Sequence, residues 1–159
     1  MKRVCASFAR PCASWSRQRH DFPVSVNLPY FDLVLQQLEK GDPEFEMAFG
    51  RHVHWGYWAD PSRADQTAED YALAAEERSQ QGLSAANVAD GQQILDVGCG
   101  FGGTIASLNE NFCDLNLVGV NIDERQLERA RLKVAAQNGN RIEFKQGDAC
   151  AMPIADQAF

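Results

Sequence analysis

Asp96, Gly98, Gly100 and Gly102 lie in the run Ile94-Leu95-Asp96-Val97-Gly98-Cys99-Gly100-Phe101-Gly102-Gly103, where an aliphatic stretch passes into a glycine-rich turn. Glycines let a backbone pass close to a ligand. Amides at the start of a following helix favour a carboxylate or another electron-rich group, and Asp96 adds a charged acceptor beside them. Two further groups carry suitable chemistry: Asn121 and Ile122 with Gln126, and Asp148 with Ala149. Asn121 can donate to and accept from hydroxyls but lacks the charge-assisted bond of a carboxylate. Bland roles stand beside these: Asp96 bracing the turn through backbone hydrogen bonds, and Asp148 capping a helix or turn.

The elements that must position these groups follow from periodicity. Tyr30 to Lys40 sets Phe31, Val34, Leu35 and Leu38 on one helical face, ended by Gly41-Asp42-Pro43. Pro43 to Gly50 reads as another turn or two of helix, leading into the aromatic-rich Arg51-His52-Val53-His54-Trp55-Gly56-Tyr57-Trp58. A long helix is expected from Asp65 to about Gln81, capped by Thr67 or Asp65 and ended or interrupted by Gly82, with a final turn in Leu83 to Val88. From Gln93 the pattern alternates. Strands are expected at Ile94–Val97, Leu115–Asn121 and Arg141–Gln146. A helix at Thr104–Asn111 separates the first two, and a second one, with Asp123 as N-cap and Gln126 closing a capping box, runs to Asn138-Gly139.

This alternation predicts a Rossmann-like, doubly wound α/β fold with a parallel sheet, of which three strands are present, preceded by an N-terminal helical cap. The expected divisions are a tail at 1–22, the cap at 23–90 and the sheet domain at 91–159. In such sheets ligands bind outside the carboxyl ends of the strands. Asp96–Gly98, Asn121–Ile122 and Gly147–Asp148 therefore converge on one edge.

Gly98, Gly100 and Gly103 also satisfy GxGxxG, so the glycines alone admit either a dinucleotide or another nucleotide-like cofactor. A dinucleotide reading wants an acid about 20 residues on, at the end of the second strand. Asn121 stands there, with Asp123 two residues later. The glycine motif, Val118-Gly119-Val120-Asn121-Ile122-Asp123-x-x-Gln126-Leu127 and Phe144-Lys145-Gln146-Gly147-Asp148-Ala149 together resemble the motifs of class I S-adenosylmethionine (SAM) dependent methyltransferases that act on small molecules. The resemblance covers Phe45 to Phe159. It implies SAM as cofactor, with Asp96, Gly98, Gly100, Gly102, Asn121 and Gln126 among the cofactor contacts. It also implies Ile122 packing on the adenine, Asp148 accepting from the adenine amino group, and the Ala149 amide reaching the ring. Residues 52–58 are similar to the segment before the first strand in tocopherol and sterol methyltransferases, which makes Tyr57 a contact for the methionine portion. His54 could serve the acceptor as a general base, but an aromatic cluster closing the cap is the favoured role for it, and no catalytic residue is assigned.

Charge narrows the acceptor. The formal charge is -7, but Lys2, Arg3, Arg10, Arg17 and Arg19 all precede the first acid, leaving ten basic against 22 acidic side chains beyond them. That balance of -12 disfavours nucleic acid and suits a small neutral or cationic acceptor. The five cysteines show neither metal-ligand spacing nor a disulfide framework, and no metal is expected. Cys99 reads as a small side chain packed under the turn rather than a nucleophile. No run approaches the length of a membrane span, so a cytoplasmic protein is expected. Residues 1–20 read either as an organellar transit peptide or as a plain unstructured start. Two rival readings remain open, a nicotinamide-dependent oxidoreductase and an inactive fragment or interaction module. The second arises because the chain looks C-terminally incomplete, so that alone it is expected to be marginally stable and to bind SAM weakly.

Overall fold

The computed structural model describes residues 27–159. The expected tail, its targeting role and the first residues of the cap lie outside them. Helix α1, Pro29–Glu39, starts with proline at its first position, carries Asp32 in its first turn and buries Val34 and Leu38. Helix α2, Pro43–Phe49, is capped by Asp42, whose carboxylate accepts from the Glu44 and Phe45 amides at 2.9 and 3.3 Å. A 3-10 turn at Pro61–Arg63 leads to α3, Ala68–Ala85, capped by the Thr67 hydroxyl on the Asp70 amide at 3.1 Å.

Helix α3 runs straight through Gly82, against the expectation that it would stop there. Leu83 explains this: it is buried with Ile105, Leu108, Leu115 and Leu117. That burial outweighs the ~1 kcal/mol by which glycine disfavours a helix. The space a Cβ on Gly82 would enter is open. Gly82→Ala is therefore expected to raise stability by ~0.5–1 kcal/mol, read as a higher melting temperature.

Strands β1 (Gln93–Val97), β2 (Asn116–Asn121) and β3 (Arg141–Gln146) form one parallel sheet in the order β1-β2-β3. Asp96 pairs with Gly119, and Asn121 with Gln146, so the three carboxyl ends lie level. The crossovers are α4, Gly103–Asn111, and α5, Glu124–Lys133. The Rossmann-like parallel arrangement is thus the one the sequence implies.

Helix α5 stops earlier than Asn138-Gly139, because buried asparagines take over the following chain. Asn109 donates to the Ala135 carbonyl at 2.9 Å and accepts from the Gln137 amide at 3.0 Å. Asn140 accepts from the Leu115 amide at 2.7 Å and donates to the Phe112 carbonyl at 3.0 Å. Nor does Gln126 close a capping box. Asp123 caps α5 through the Arg125 amide, while Gln126 is buried and turned toward Asn121.

A second core cluster fixes the cap to the glycine turn. Phe101 is buried with Val34 and Leu38 of α1, and with Phe45, Phe49 and Val53 beside them. Arg129 of α5 lies over the Phe101 ring at 5.1 Å and pairs with Glu46 of α2 at 2.5 Å. The cap therefore rests directly on the loop that carries the candidate site.

Candidate cofactor site at the strand ends

The turn after β1 is held by β2. The amides of Gly98 and Cys99 both donate to the Val120 carbonyl, at 2.7 and 3.1 Å, and the Gly102 amide closes back on the Cys99 carbonyl at 2.8 Å. Gly98, Gly100 and Gly102 adopt φ of +83°, +55° and +78°, which side chains other than glycine disfavour. The three nonetheless differ in purpose. A Cβ on Gly100 would lie 2.8 Å from Val53, and one on Gly102 3.0 Å from Phe144, so these two make room for the protein itself. Gly98 has nothing within 4 Å and is exposed. Of the three, it is the one whose backbone is left open.

Asp96 stands just before this opening. Its Oδ2 is buried without a hydrogen-bond partner, and burial raises its pKa above the ordinary carboxylate range. Among the described residues nothing donates to this carboxylate, so the bracing role is not what the geometry supports. An orphaned carboxylate oxygen at the mouth of a turn suits a cationic or strongly donating ligand group.

Cys99 is buried beneath the turn, where its Sγ lies 2.9 Å from the place a Cβ on Gly119 would take. Burial and the nearby Asp96 charge push its thiol up to about 12. We expect iodoacetamide at pH 8 to label the exposed Cys113 and Cys150 but not Cys99, as peptide mass spectrometry would show.

The end of β2 is engaged rather than open. Asn121 is buried; its Oδ1 accepts from the Gly100 amide at 3.4 Å, and its Nδ2 lies 3.3 Å from both the Asp123 carbonyl and Gln126 Oε1. Asn121 and Gln126 thus brace the glycine turn. Asp123 is occupied by Arg125 at 2.9 and 2.6 Å, and Arg125 reaches on to Asp32 of α1 at 2.7 Å. The Asp123 carboxyl is held below its usual range by Arg125, against the opposing effect of burial. Among the described residues no free acid stands at this strand end.

The end of β3 is half open. Asp148 Oδ1 accepts from the Cys150 amide at 2.8 Å, the turn-cap role, and the carboxyl remains half-buried beside exposed Ala149. Ile122 is half-buried, its carbonyl held by Gln146 at 3.1 Å. The groups named at the three strand ends are therefore brought to one edge of the sheet.

Tyr57 is fastened to α3 through its amide, which donates to the Ala74 carbonyl at 2.8 Å, while its side chain is exposed. With His54, Arg78, Ser79, Leu83 and Thr104 it lines a concavity of about 520 Å³ beside the start of α4. His54 is used structurally: its ring nitrogens lie 3.2 Å from the Ser79 hydroxyl and 3.1 Å from the Trp55 carbonyl. Burial lowers its pKa.

One heavily bonded polar group here was not visible in the sequence. Glu76 of α3 is met by His52 at 2.9 Å, Ser107 at 2.5 Å, Gln80 at 3.0 Å and Arg51 at 3.1 Å. Burial pushes its carboxyl up, but these donors and the Arg51 charge outweigh it and hold it well below the usual range. The available signal was a glutamate directly after the buried Ala74-Ala75 pair on the inward stripe of α3. Among the described residues no cluster is placed to hold a metal, and no helix is long and apolar enough to cross a membrane.

Residues 94–159 match the family model of a methyltransferase domain. Methyltransferase GfsG of Streptomyces halstedii is 38% identical over 112 residues, covering 70% of this chain and 38% of the relative. An O-methyltransferase of Pyrenophora dematioidea is 35% identical over 108 residues, 67% of this chain and 39% of the relative. The solved structure of the 4+2 cyclase SpnF superposes with a TM-score of 0.58 at 23% identity, over 82% of this chain and 42% of that one, a likeness of fold. The chain spans about two fifths of the length of the relatives it matches. With strand order and similarity in agreement, residues 94–159 are those of a methyltransferase domain, and the chain is similar to the class I SAM-dependent methyltransferases.

Proposed function

We propose that the protein binds SAM across the carboxyl ends of β1, β2 and β3 and transfers its methyl group to an oxygen, nitrogen or carbon of a small-molecule acceptor. The observation that carries this reading is the buried, partnerless Asp96 Oδ2 beside the open backbone of Gly98. When bound, SAM would supply a methyl group on its sulfonium, with the acceptor's lone pair forming the new bond to carbon, the sulfur keeping the electron pair of the broken one, and the acceptor's proton passing to solvent. Asp96 would accept from the cofactor's ammonium group, and the first amides of α4 would meet its carboxylate. Asp148 has a second oxygen to offer the adenine amino group, with Ile122 against the ring and the Ala149 amide at its edge. Asn121 and Gln126 would reach the ribose only by exchanging their mutual 3.3 Å contact for hydroxyl contacts. Tyr57 would close the methionine side.

These residues hold and orient; none needs to form a covalent bond. Positioning of two reactants can itself supply ~7–11 kcal/mol. The acidic surface favours a neutral or cationic acceptor over a polyanion. A nicotinamide dinucleotide would want a free carboxylate at the end of β2, and the acid there is ion-paired to Arg125. Calorimetry tests the choice: millimolar S-adenosylhomocysteine should give saturable heat and NADH none. Saturable heat from NADH alone would sink the proposal.

A further inference from the structure

Three separate pieces of chain meet at Glu76. Segment 51–52 of the cap contributes Arg51 and His52, α3 contributes Glu76 and Gln80, and α4 contributes Ser107 and Glu110. Arg51 spans the joint, with Nε on Glu76 at 3.1 Å, both terminal nitrogens on Glu110 at 2.8 Å, and Nη2 on the Ser107 hydroxyl at 3.2 Å. His52 is 4% exposed, so it cannot trade its Glu76 bond for water. Its ring rests against Gly103, the first residue of α4. Ser107 sits one helical turn further on, on the same face, and also touches the Gly103 carbonyl at 3.1 Å.

We propose that Glu76 is a positioning residue for the cofactor site, locking the start of α4 and the segment that carries Tyr57 onto α3 as one rigid wall. Tyr57 is five residues beyond His52, and its amide is bonded to Ala74, two residues before Glu76. The same carboxylate thus fixes both sides of the place where the methionine portion would lie, a role that rests on the SAM reading above. Glu76 touches no reacting atom in this scheme. It acts by saturation: four donors on two oxygens leave it a single arrangement.

Glu76→Gln keeps the volume but removes the charge opposite Arg51 and replaces one of the two acceptor oxygens with a donor, so the four donors can no longer all be met. Asn140→Ala is the comparison, because it removes a buried amide at the opposite end of β2. In the free protein, hydrogen exchange in Glu76→Gln should rise at least tenfold at the Tyr57 and Ala106 amides and remain unchanged at Leu115. Asn140→Ala should do the reverse. With S-adenosylhomocysteine, Glu76→Gln should bind at least tenfold more weakly than the parent and Asn140→Ala within twofold of it. If Glu76→Gln does not fold, Ser107→Ala, which removes one donor, should give the same exchange pattern at smaller amplitude. Uniform exchange increases, or equal loss of binding in the two variants, would overturn the proposal. Absence of S-adenosylhomocysteine binding to the unmutated protein would refute the cofactor reading alone, while the exchange pattern still decides the role of Glu76.

Discussion

Asp96→Asn is expected to melt at a higher temperature than the parent protein and yet to bind S-adenosylhomocysteine roughly 10- to 100-fold more weakly. Both effects come from the same oxygen. Oδ2 is buried with no donor facing it, and burial raises the carboxyl pKa. An acid whose folded pKa lies above its unfolded value destabilises the fold as pH rises through that interval, and the penalty persists above it. The gain from Asn should therefore be absent near pH 3 and full at pH 7, as thermal melts at the two pH values would show. A hydrogen bond to a charged group contributes ~1.5–3 kcal/mol, which at ~1.4 kcal/mol per tenfold gives the stated loss of affinity. A variant that lost stability and kept its affinity would assign Asp96 to bracing the turn.

Gly103→Val should destabilise the protein by ~2 kcal/mol and weaken the cofactor site with it. Valine is a slightly better helix former than glycine, by a few tenths of a kcal/mol, so local propensity alone predicts a small gain. Packing decides otherwise. A Cβ at this position would meet the His52 ring and lie 2.6 Å from the Arg51 carbonyl oxygen. Neither can retreat, because Glu76 holds His52 and Arg51 is tied to both α3 and α4. Overpacking of this kind costs ~1–3 kcal/mol. Denaturant melts would measure the loss, and a melt unchanged from the parent would mean that the cap does not rest on α4.

Much of this organisation was legible in the sequence, and the unread parts share a cause. β1, β2 and β3 were visible as short aliphatic runs between turn signals, and Thr67 and Asp123 as local caps, because each depends on neighbours within a few residues. Gly82 and the end of α5 were misjudged because the outcome rests on distant partners. Leu83 packs against α4 and β2, and Asn109 and Asn140 bond across 31 residues. The site divides the same way. Asp96 and Gly98 could be read from one turn, whereas the turning-in of Asn121 depends on Gly100 and Gln126 meeting it from two elements. Glu76 was invisible for the same reason, three of its four partners lying 24 to 31 residues away on both sides.

The glycine pattern contained more than one requirement. Gly100 and Gly102 accommodate Val53, Phe144 and Ala130, so their absence of a side chain serves folding. Gly98 is the one of the three whose Cβ side is open, the side proposed to face the ligand. A glycine motif matched by spacing alone mixes these two demands.

The most direct measurement is an amide NMR titration of the 159-residue chain, which detects even millimolar binding. The account predicts that S-adenosylhomocysteine shifts Asp96, Gly98, Thr104 and Ala149 together, leaves Leu115 and Asn140 in place, and that equimolar NADH shifts none of these. Shifts from NADH at Gly98 and Asp123, with no response to S-adenosylhomocysteine, would contradict it.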